Sequence, residues 1–131
     1  MRLLPFALAA VSGIAACSSA PSTPESASPA GMPLPVLTPQ TTGTRQLLQA
    51  VSVVSNDVVW VSGHGGTWAR TVDGGATWTT GVVPGADSLQ FRDLHALDAE
   101  RAWLMSAGNG PASQIWYSAD GGQNWTQQFR N

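Results

Sequence analysis

The sequence predicts an all-β protein in which two four-stranded antiparallel units follow a leader and a linker. Its apolar runs are short, rich in Val and Trp, and bounded by clusters of Gly, Asn, Asp and Ser, which is typical of strands. No window shows apolar residues at a helical period with caps at its ends. A long stretch of the chain also recurs as a diverged repeat, and the turn Thr/Ser-x-Asp-Gly-Gly-x-x-Trp occurs twice.

Residues 1–16 have the pattern of a secretory signal peptide, with a basic start at Arg2 and an apolar run from Leu3. The run is shorter than the ~20 residues that a membrane-spanning helix needs. It leads to Ile-Ala-Ala-Cys, which resembles a bacterial lipobox, and Cys17 is the only cysteine of the chain. The resemblance implies that Cys17 is acylated and anchors an exported protein to a membrane, facing the periplasm or the cell exterior. The alternative is an ordinary signal peptide that is cleaved nearby, for example after Ala20.

Residues 17–45 are dominated by Ser, Pro, Ala and Thr and predict a linker. Such a segment cannot bury enough apolar surface to offset the entropy lost on ordering, and its prolines favour extended conformations. We expect it to act as a tether between the membrane and the domain that follows.

The charge of the chain excludes one class of partner. The net charge is −2, with six basic residues, all arginine, against eight carboxylates. A nucleic-acid-binding protein would show a clustered basic face, and a protein held electrostatically on anionic lipid would show a polybasic patch. We therefore expect no nucleic-acid partner, and membrane attachment through the acylated cysteine alone.

The repeat is the feature that predicts the architecture. Residues 51–65 align with residues 94–108 at an offset of 43, which places Trp60 on Trp103. The second copy then has four extra residues within Asn-Gly-Pro-Ala-Ser-Gln, and the alignment resumes at an offset of 47. An insertion at a hairpin loop is what a structural repeat tolerates, and a period in the forties with four strands is the size of a propeller blade.

The predicted blades are residues 46–90 and 91–131. In each, a first strand (about 48–54 and 92–97) leads through a polar turn to a second strand that carries the shared Trp. A Gly-rich loop and a third strand then lead to the Asp turn, and the fourth strand starts at Trp78 or Trp125.

The two turns resemble the Asp box of bacterial neuraminidase repeats and of many other propellers. The matching residues are Thr71, Asp73, Gly75 and Trp78 in the first turn, and Ser118, Asp120, Gly122 and Trp125 in the second. An Asp side chain can accept hydrogen bonds from backbone N–H groups a residue or two ahead, glycine tolerates positive φ, and Trp packs over the turn. A metal site would need further carboxylates, and each turn supplies one. We therefore expect both aspartates to be structural, and we predict no metal and no cofactor.

Three other residues are candidates for surface contacts. His64 lies in a Gly-rich loop, where it is either a ligand contact or a solvated loop residue. Trp68 and Trp116 are one position out of register in the repeat, so either they are exposed aromatic contacts or they pack in the core. Trp60 and Trp103 are equivalent in the repeat, and we expect both in the blade core.

The sequence contains no constellation of catalytic residues. There is no Gly-x-Ser-x-Gly elbow and no nucleotide-binding glycine fingerprint. Sialidases, which share the Asp box, need an arginine triad and a tyrosine paired with a carboxylate. Here Tyr117 is the only tyrosine, and Phe91–Asp93 lacks the Phe-Arg-Ile-Pro continuation. We expect no enzyme activity in this chain.

Residues 91–129 resemble the propellers that are similar to photosystem II stability and assembly factors, and the resemblance extends over about residues 46–131. It implies a module that binds protein partners, here proteins of the cell envelope. Because a propeller needs about four to eight blades, we expect either a truncated reading frame or several copies that associate to complete a ring. The alternative function is the N-terminal part of an exported sialidase-like glycoside hydrolase.

Overall fold

The computed structural model describes residues 34–131, and the predicted leader, Cys17 and most of the predicted linker lie outside them. Residues Leu37–Asn131 form one compact unit that contains all the strands. Among the described residues there is no helix long and apolar enough to cross a bilayer.

The strands form two four-stranded antiparallel sheets, each in simple sequential order. The first sheet consists of β1 (Leu48–Val53), β2 (Val59–Gly63), β3 (Thr67–Thr71) and β4 (Thr79–Val82). The second sheet consists of β5 (Phe91–Ala96), β6 (Ala102–Ser106), β7 (Gln114–Ser118) and β8 (Thr126–Arg130). The predicted all-β fold class is thus confirmed, and both fourth strands begin one residue after the tryptophan of the turn.

The strand pairing in the two sheets follows the offsets of the sequence repeat. Val53 pairs with Val59 in the first sheet, and Ala96 pairs with Ala102 in the second, at the offset of 43. The third strands follow at the offset of 47, with Thr71 opposite Val59 and Ser118 opposite Ala102. The four extra residues lie in the β6–β7 loop, where Gly110–Ala112 form a 3₁₀ turn. The insertion therefore leaves the strand pairing unchanged.

The core lies between the sheets, where β5 packs against β1 and β2. Trp60 of the first sheet and Phe91 and Leu104 of the second are completely buried there. The other members of this cluster are Trp68, Val83, Ala86, Leu89, Leu94, Ala96 and Ala102. Fully burying one large apolar side chain contributes about 1.5–3 kcal/mol, so this contact is the main source of stability in the described residues.

Polar groups tie the two sheets together around this core. The indole Nε1 of Trp60 donates to the carbonyl of Asp98 at 2.9 Å, and the backbone N–H of Ala96 donates to Ser52 Oγ at 3.1 Å. The guanidinium of Arg70 lies over the Trp60 ring, 5.4 Å from its centroid, and donates to the carbonyl of Ala99. Each of these bonds joins a side chain of the first sheet to the backbone of the second.

Candidate functional site

The first Asp turn, residues 71–78, is closed by its own side chains. Asp73 Oδ1 accepts hydrogen bonds from the Thr71 hydroxyl at 2.7 Å and from the Thr77 backbone N–H at 2.8 Å. The Thr77 hydroxyl donates to Asp73 Oδ2, and the backbone N–H of Gly75 donates to Thr71 Oγ1 at 2.8 Å. Both carboxylate oxygens are thus occupied within the turn. The carboxylate reaches four residues ahead rather than the one or two expected from the sequence.

The second Asp turn, residues 118–125, repeats this arrangement with one substitution. Asp120 Oδ1 accepts from the Ser118 hydroxyl and from the Asn124 backbone N–H, both at 2.9 Å. The side-chain amide of Asn124 takes the role of the Thr77 hydroxyl and donates to Asp120 Oδ2 at 2.7 Å. The two turns therefore place their donors at the same spacing and differ in the group that donates to Oδ2.

These hydrogen bonds keep both carboxylates ionised. The hydroxyl and then the backbone N–H of Thr77 lower the pKa of Asp73 from 3.8 to about 2. The backbone N–H and then the side-chain amide of Asn124 lower the pKa of Asp120. A general acid near neutral pH needs a raised pKa, so these shifts oppose a general-acid role for either residue. Within residues 34–131, no group of three or more acidic, His or Cys side chains could hold a metal ion.

The two turn tryptophans have different neighbours. The Trp125 ring packs against Trp60 and Trp68 of the first sheet, with centroid distances of 6.3 and 5.8 Å. Trp78 instead donates its indole N–H to Gln40 Oε1 at 3.2 Å. The second turn therefore belongs to the contact between the sheets, whereas the first lies against residues that precede β1.

The glycines of the second turn make that contact close. Gly121 and Gly122 both have positive φ, 75° and 90°. A Cβ on Gly122 would overlap the Trp68 ring, and a Cβ on Gly121 would overlap the Arg70 guanidinium. Glycine is thus required twice over, by the backbone conformation and by the approach of the first sheet.

Two of the expected aromatic positions need correction. Trp68, considered as an exposed contact, is 5% exposed and belongs to the core, because the second sheet and Trp125 cover its face. Trp103, expected in the core, is only half-buried, with Tyr117 stacked against it at 4.6 Å. No sheet of the described chain covers Trp103, although its repeat equivalent Trp60 is completely buried.

His64 is half-buried in the β2–β3 loop. Its backbone N–H donates to the carbonyl of Leu47 at 2.9 Å, and its main chain forms an isolated bridge with Gln90. The backbone of His64 thus helps to join β2 to the segment before β5.

Trp116 lines an open cleft of about 370 Å³. One wall is the crossover between the sheets, with Gly85, Ser88 and Leu89, and the other is the 3₁₀ turn, with Pro111 and Ala112. The remaining residues that line the cleft are Gln114, Gln127 and Arg130. The 3₁₀ turn lies in the four-residue insertion, so the second copy of the repeat builds a cleft that the shorter loop of the first copy could not build.

A buried glutamine organises the polar part of this cleft. Gln114, 8% exposed, accepts at Oε1 from Trp116 Nε1 at 2.9 Å and from the Gln127 amide at 2.6 Å, while its own amide donates to the carbonyl of Pro111. Arg130 is exposed at the rim, and the one salt bridge among residues 34–131 joins Arg101 to Asp98 instead. The cleft thus combines an indole, two ordered amides and a cation. No motif of the sequence points to Gln114, Gln127 or Arg130, although insertions in repeat loops often carry function.

The solved structures that resemble the chain include two of YCF48. One is YCF48 bound to D1 peptide, with a TM-score of 0.54 and 22% identity, and the other is YCF48 from Cyanidioschyzon merolae, with a TM-score of 0.51 and 22% identity. The two sheets are β-propeller blades. Each match covers 68% of this chain and 28% of the solved chain, so the chain spans just over a quarter of the length of these structures. No protein-family model matches the sequence, and neither does any curated protein.

Proposed function

We propose that the chain is a non-catalytic β-propeller module of the Asp-box type that binds an extended segment of another protein of the cell envelope. The observation that carries this proposal is the cleft built by the insertion. Trp116 offers an apolar surface, Gln127 offers amide groups for a peptide backbone, and Arg130 offers a cation for a carboxylate or a carbonyl. The D1 peptide bound to YCF48 supports the same class of ligand.

The ionised state of the turn carboxylates supports the non-catalytic part of the proposal. Asp73 and Asp120 each accept hydrogen bonds at both oxygens from within their own turns. Each carboxylate thus serves to close its own turn, and the lowered pKa values suit a structural role.

We further propose that the protein is exported and anchored through an acyl group on Cys17. The support is the resemblance of residues 14–17 to a lipobox and the presence of one cysteine in the chain. Metabolic labelling with a palmitate analogue should mark the native chain and leave Cys17→Ser unmarked. Equal labelling of both would contradict the anchor.

Peptide binding is tested by selecting short peptides on the full chain from a random displayed library. Fluorescence anisotropy then gives the affinity of each selected peptide. Because hydrogen bonds to charged groups contribute about 1.5–3 kcal/mol, Arg130→Ala should weaken binding by about tenfold or more.

The matched control is Arg92→Ala, which removes an exposed arginine of β5 that does not line the cleft. It should leave the affinity unchanged. Failure to select any peptide, or equal effects of the two substitutions, would contradict a binding site in the cleft.

A further inference from the structure

Each sheet has one face that no other sheet of the described chain covers. On the first sheet this is the valine face, defined as Val51, Val53, Val59 and Val61, which register places side by side on β1 and β2. Val51 is 62% exposed and Val53 is 70% exposed. An exposed run of branched apolar side chains on neighbouring strands is a typical docking surface.

The second sheet has a matching bare face, which we call the tryptophan face. It consists of residues that pair directly across β5 to β8, namely His95, Trp103, Met105, Ile115, Tyr117 and Phe129. Trp103 is half-buried, Met105 is 41% exposed and Phe129 is 49% exposed. The aromatic rings of Trp103 and Tyr117 are stacked, with His95 beside them at 6.2 Å from Trp103.

The molecule already contains the interface that would join these two faces. Trp60 is the repeat equivalent of Trp103, and Trp68 is the repeat equivalent of Ile115. Both tryptophans pack against the second sheet. The residues that receive them are the repeat equivalents of the valine face, namely Leu94, Ala96, Ala102 and Leu104. Each bare face is therefore one half of a contact whose complete form is visible inside the same chain.

The hydrogen bond of the internal contact also has repeat equivalents on the two bare faces. Trp60 Nε1 donates to the carbonyl of Asp98, and the repeat equivalents of these two residues are Trp103 and Ser55. In the chain by itself, Trp103 Nε1 donates to Gln128 Oε1 at 3.0 Å. Trp78, at the place of Trp125, lies beside the valine face, where it can cover Trp103 as Trp125 covers Trp60.

Part of the segment before β1 occupies the position that a docked sheet would take, and the Thr80 hydroxyl donates to the carbonyl of Thr42 there. Gln40 lies over Gly75, as Trp68 lies over the equivalent Gly122. Its contacts are exposed hydrogen bonds to Trp78 Nε1 at 3.2 Å and to the carbonyl of Gly74 at 3.4 Å. Exposed hydrogen bonds exchange readily with water, so Gln40 can be displaced at small cost.

We propose that copies of this chain associate head to tail, with the tryptophan face of one copy packed on the valine face of a second. Because the two faces differ, the contact is heterologous and repeats until the ring closes. Propellers close with about four to eight blades, so copies that each supply the two blades of residues 46–131 form rings of two, three or four. This association is separate from the peptide cleft, whose residues belong to neither face.

Sedimentation velocity on the full chain tests the proposal, with Val53→Glu blocking the valine face and Trp103→Glu blocking the tryptophan face. The unmodified chain should sediment as two to four copies. Each variant should sediment as a single copy, because an uncompensated charge in such a contact weakens association by about a hundredfold or more. An equimolar mixture of the two variants should form a pair and stop there, since each supplies one intact face.

The matched control is Val72→Glu, because Val72 is 50% exposed and its repeat equivalent Ala119 stays exposed beside the internal contact. It should associate like the unmodified chain, and circular dichroism should show the same fold for all variants. A single copy of the unmodified chain would mean that something other than a second copy covers the faces, and would overturn the proposal. A mixture of variants that stays unpaired, or indiscriminate aggregation of every variant, would also overturn it.

Discussion

The two sheets of this molecule have the same strand order, register and turn chemistry, but they bury different faces. In the first sheet Trp60 is completely buried under the second sheet, while in the second sheet Trp103 is only partly buried. Conversely, Ala96 is 8% exposed where its repeat equivalent Val53 is 70% exposed. The local sequence therefore determines the sheet, and the neighbour that packs on it determines which residues become core.

Truncating the two equivalent tryptophans tests this difference and should give the largest effect. Trp60→Ala removes a fully buried indole and should lower the free energy of unfolding by about 3–5 kcal/mol. Trp103→Ala should cost about 1 kcal/mol, since the ring already contacts water. Urea unfolding followed by circular dichroism, at concentrations where the chain is a single copy, gives both values.

If Trp60→Ala does not fold, Trp60→Phe and Trp103→Phe provide a milder pair with the same expected order. Equal losses at the two positions would contradict the assignment of the core to one side of each sheet.

Alanine substitutions at the two turn glycines should also differ in their cost to stability, by a smaller amount. The larger loss is again expected for the residue in the contact between the sheets. Gly75 and Gly122 both have φ of 90°, so alanine strains either backbone by about 1–2 kcal/mol. At Gly122 the new Cβ also meets the buried Trp68 ring, which adds about 1–3 kcal/mol of overpacking. At Gly75 it meets only the end of the exposed Gln40 side chain, which can move away.

Thermal or urea unfolding of Gly75→Ala and Gly122→Ala measures this gap directly. A double variant with Gln40→Ala should relieve part of the cost at Gly75 and none of the cost at Gly122. If the two glycines proved equally sensitive, close packing against the first sheet would not be the reason for glycine at position 122.

The parts of the structure that the sequence predicts are those that depend on neighbouring residues. Strand positions follow from short apolar runs between turn residues, and the repeat offsets of 43 and 47 reappear in the strand pairing. The Asp turns could be recognised because Asp73 and Asp120 find all their partners within four residues.

The remainder depends on contacts between distant segments. The local pattern of Trp103 equals that of Trp60 and predicts a core position. The repeat equivalent of Trp68 is Ile115, so the local pattern leaves a surface position open for Trp68. Which of them is buried depends on the second sheet and on Trp125, 57 positions after Trp68. The cleft at Trp116 likewise needs the crossover and the inserted loop to meet, and no local pattern shows that they do.

The smallest expected effect is on the pH dependence of the free energy of unfolding, to which the carboxylates of the two Asp turns contribute. The folded pKa of Asp73 lies at about 2, below its ordinary 3.8, and that of Asp120 is also lowered. A depressed folded pKa stabilises the native state above pH 3.8, and the contribution is lost as the pH falls towards the folded value. The free energy of unfolding should therefore decrease between about pH 4 and pH 2.

Asp73→Asn and Asp120→Asn should each make this decrease shallower, and the double variant should make it shallower still. Thr77→Val removes the donor with the largest effect on Asp73 and should give part of the Asp73→Asn change. The control is Asp87→Asn, which removes an exposed carboxylate of the crossover that lies in neither Asp turn. The first turn lies at the bare valine face, whereas the second is packed between the sheets. If only one of the two Asn substitutions made the pH profile shallower, packing rather than the shared hydrogen bonds would set the acid stability.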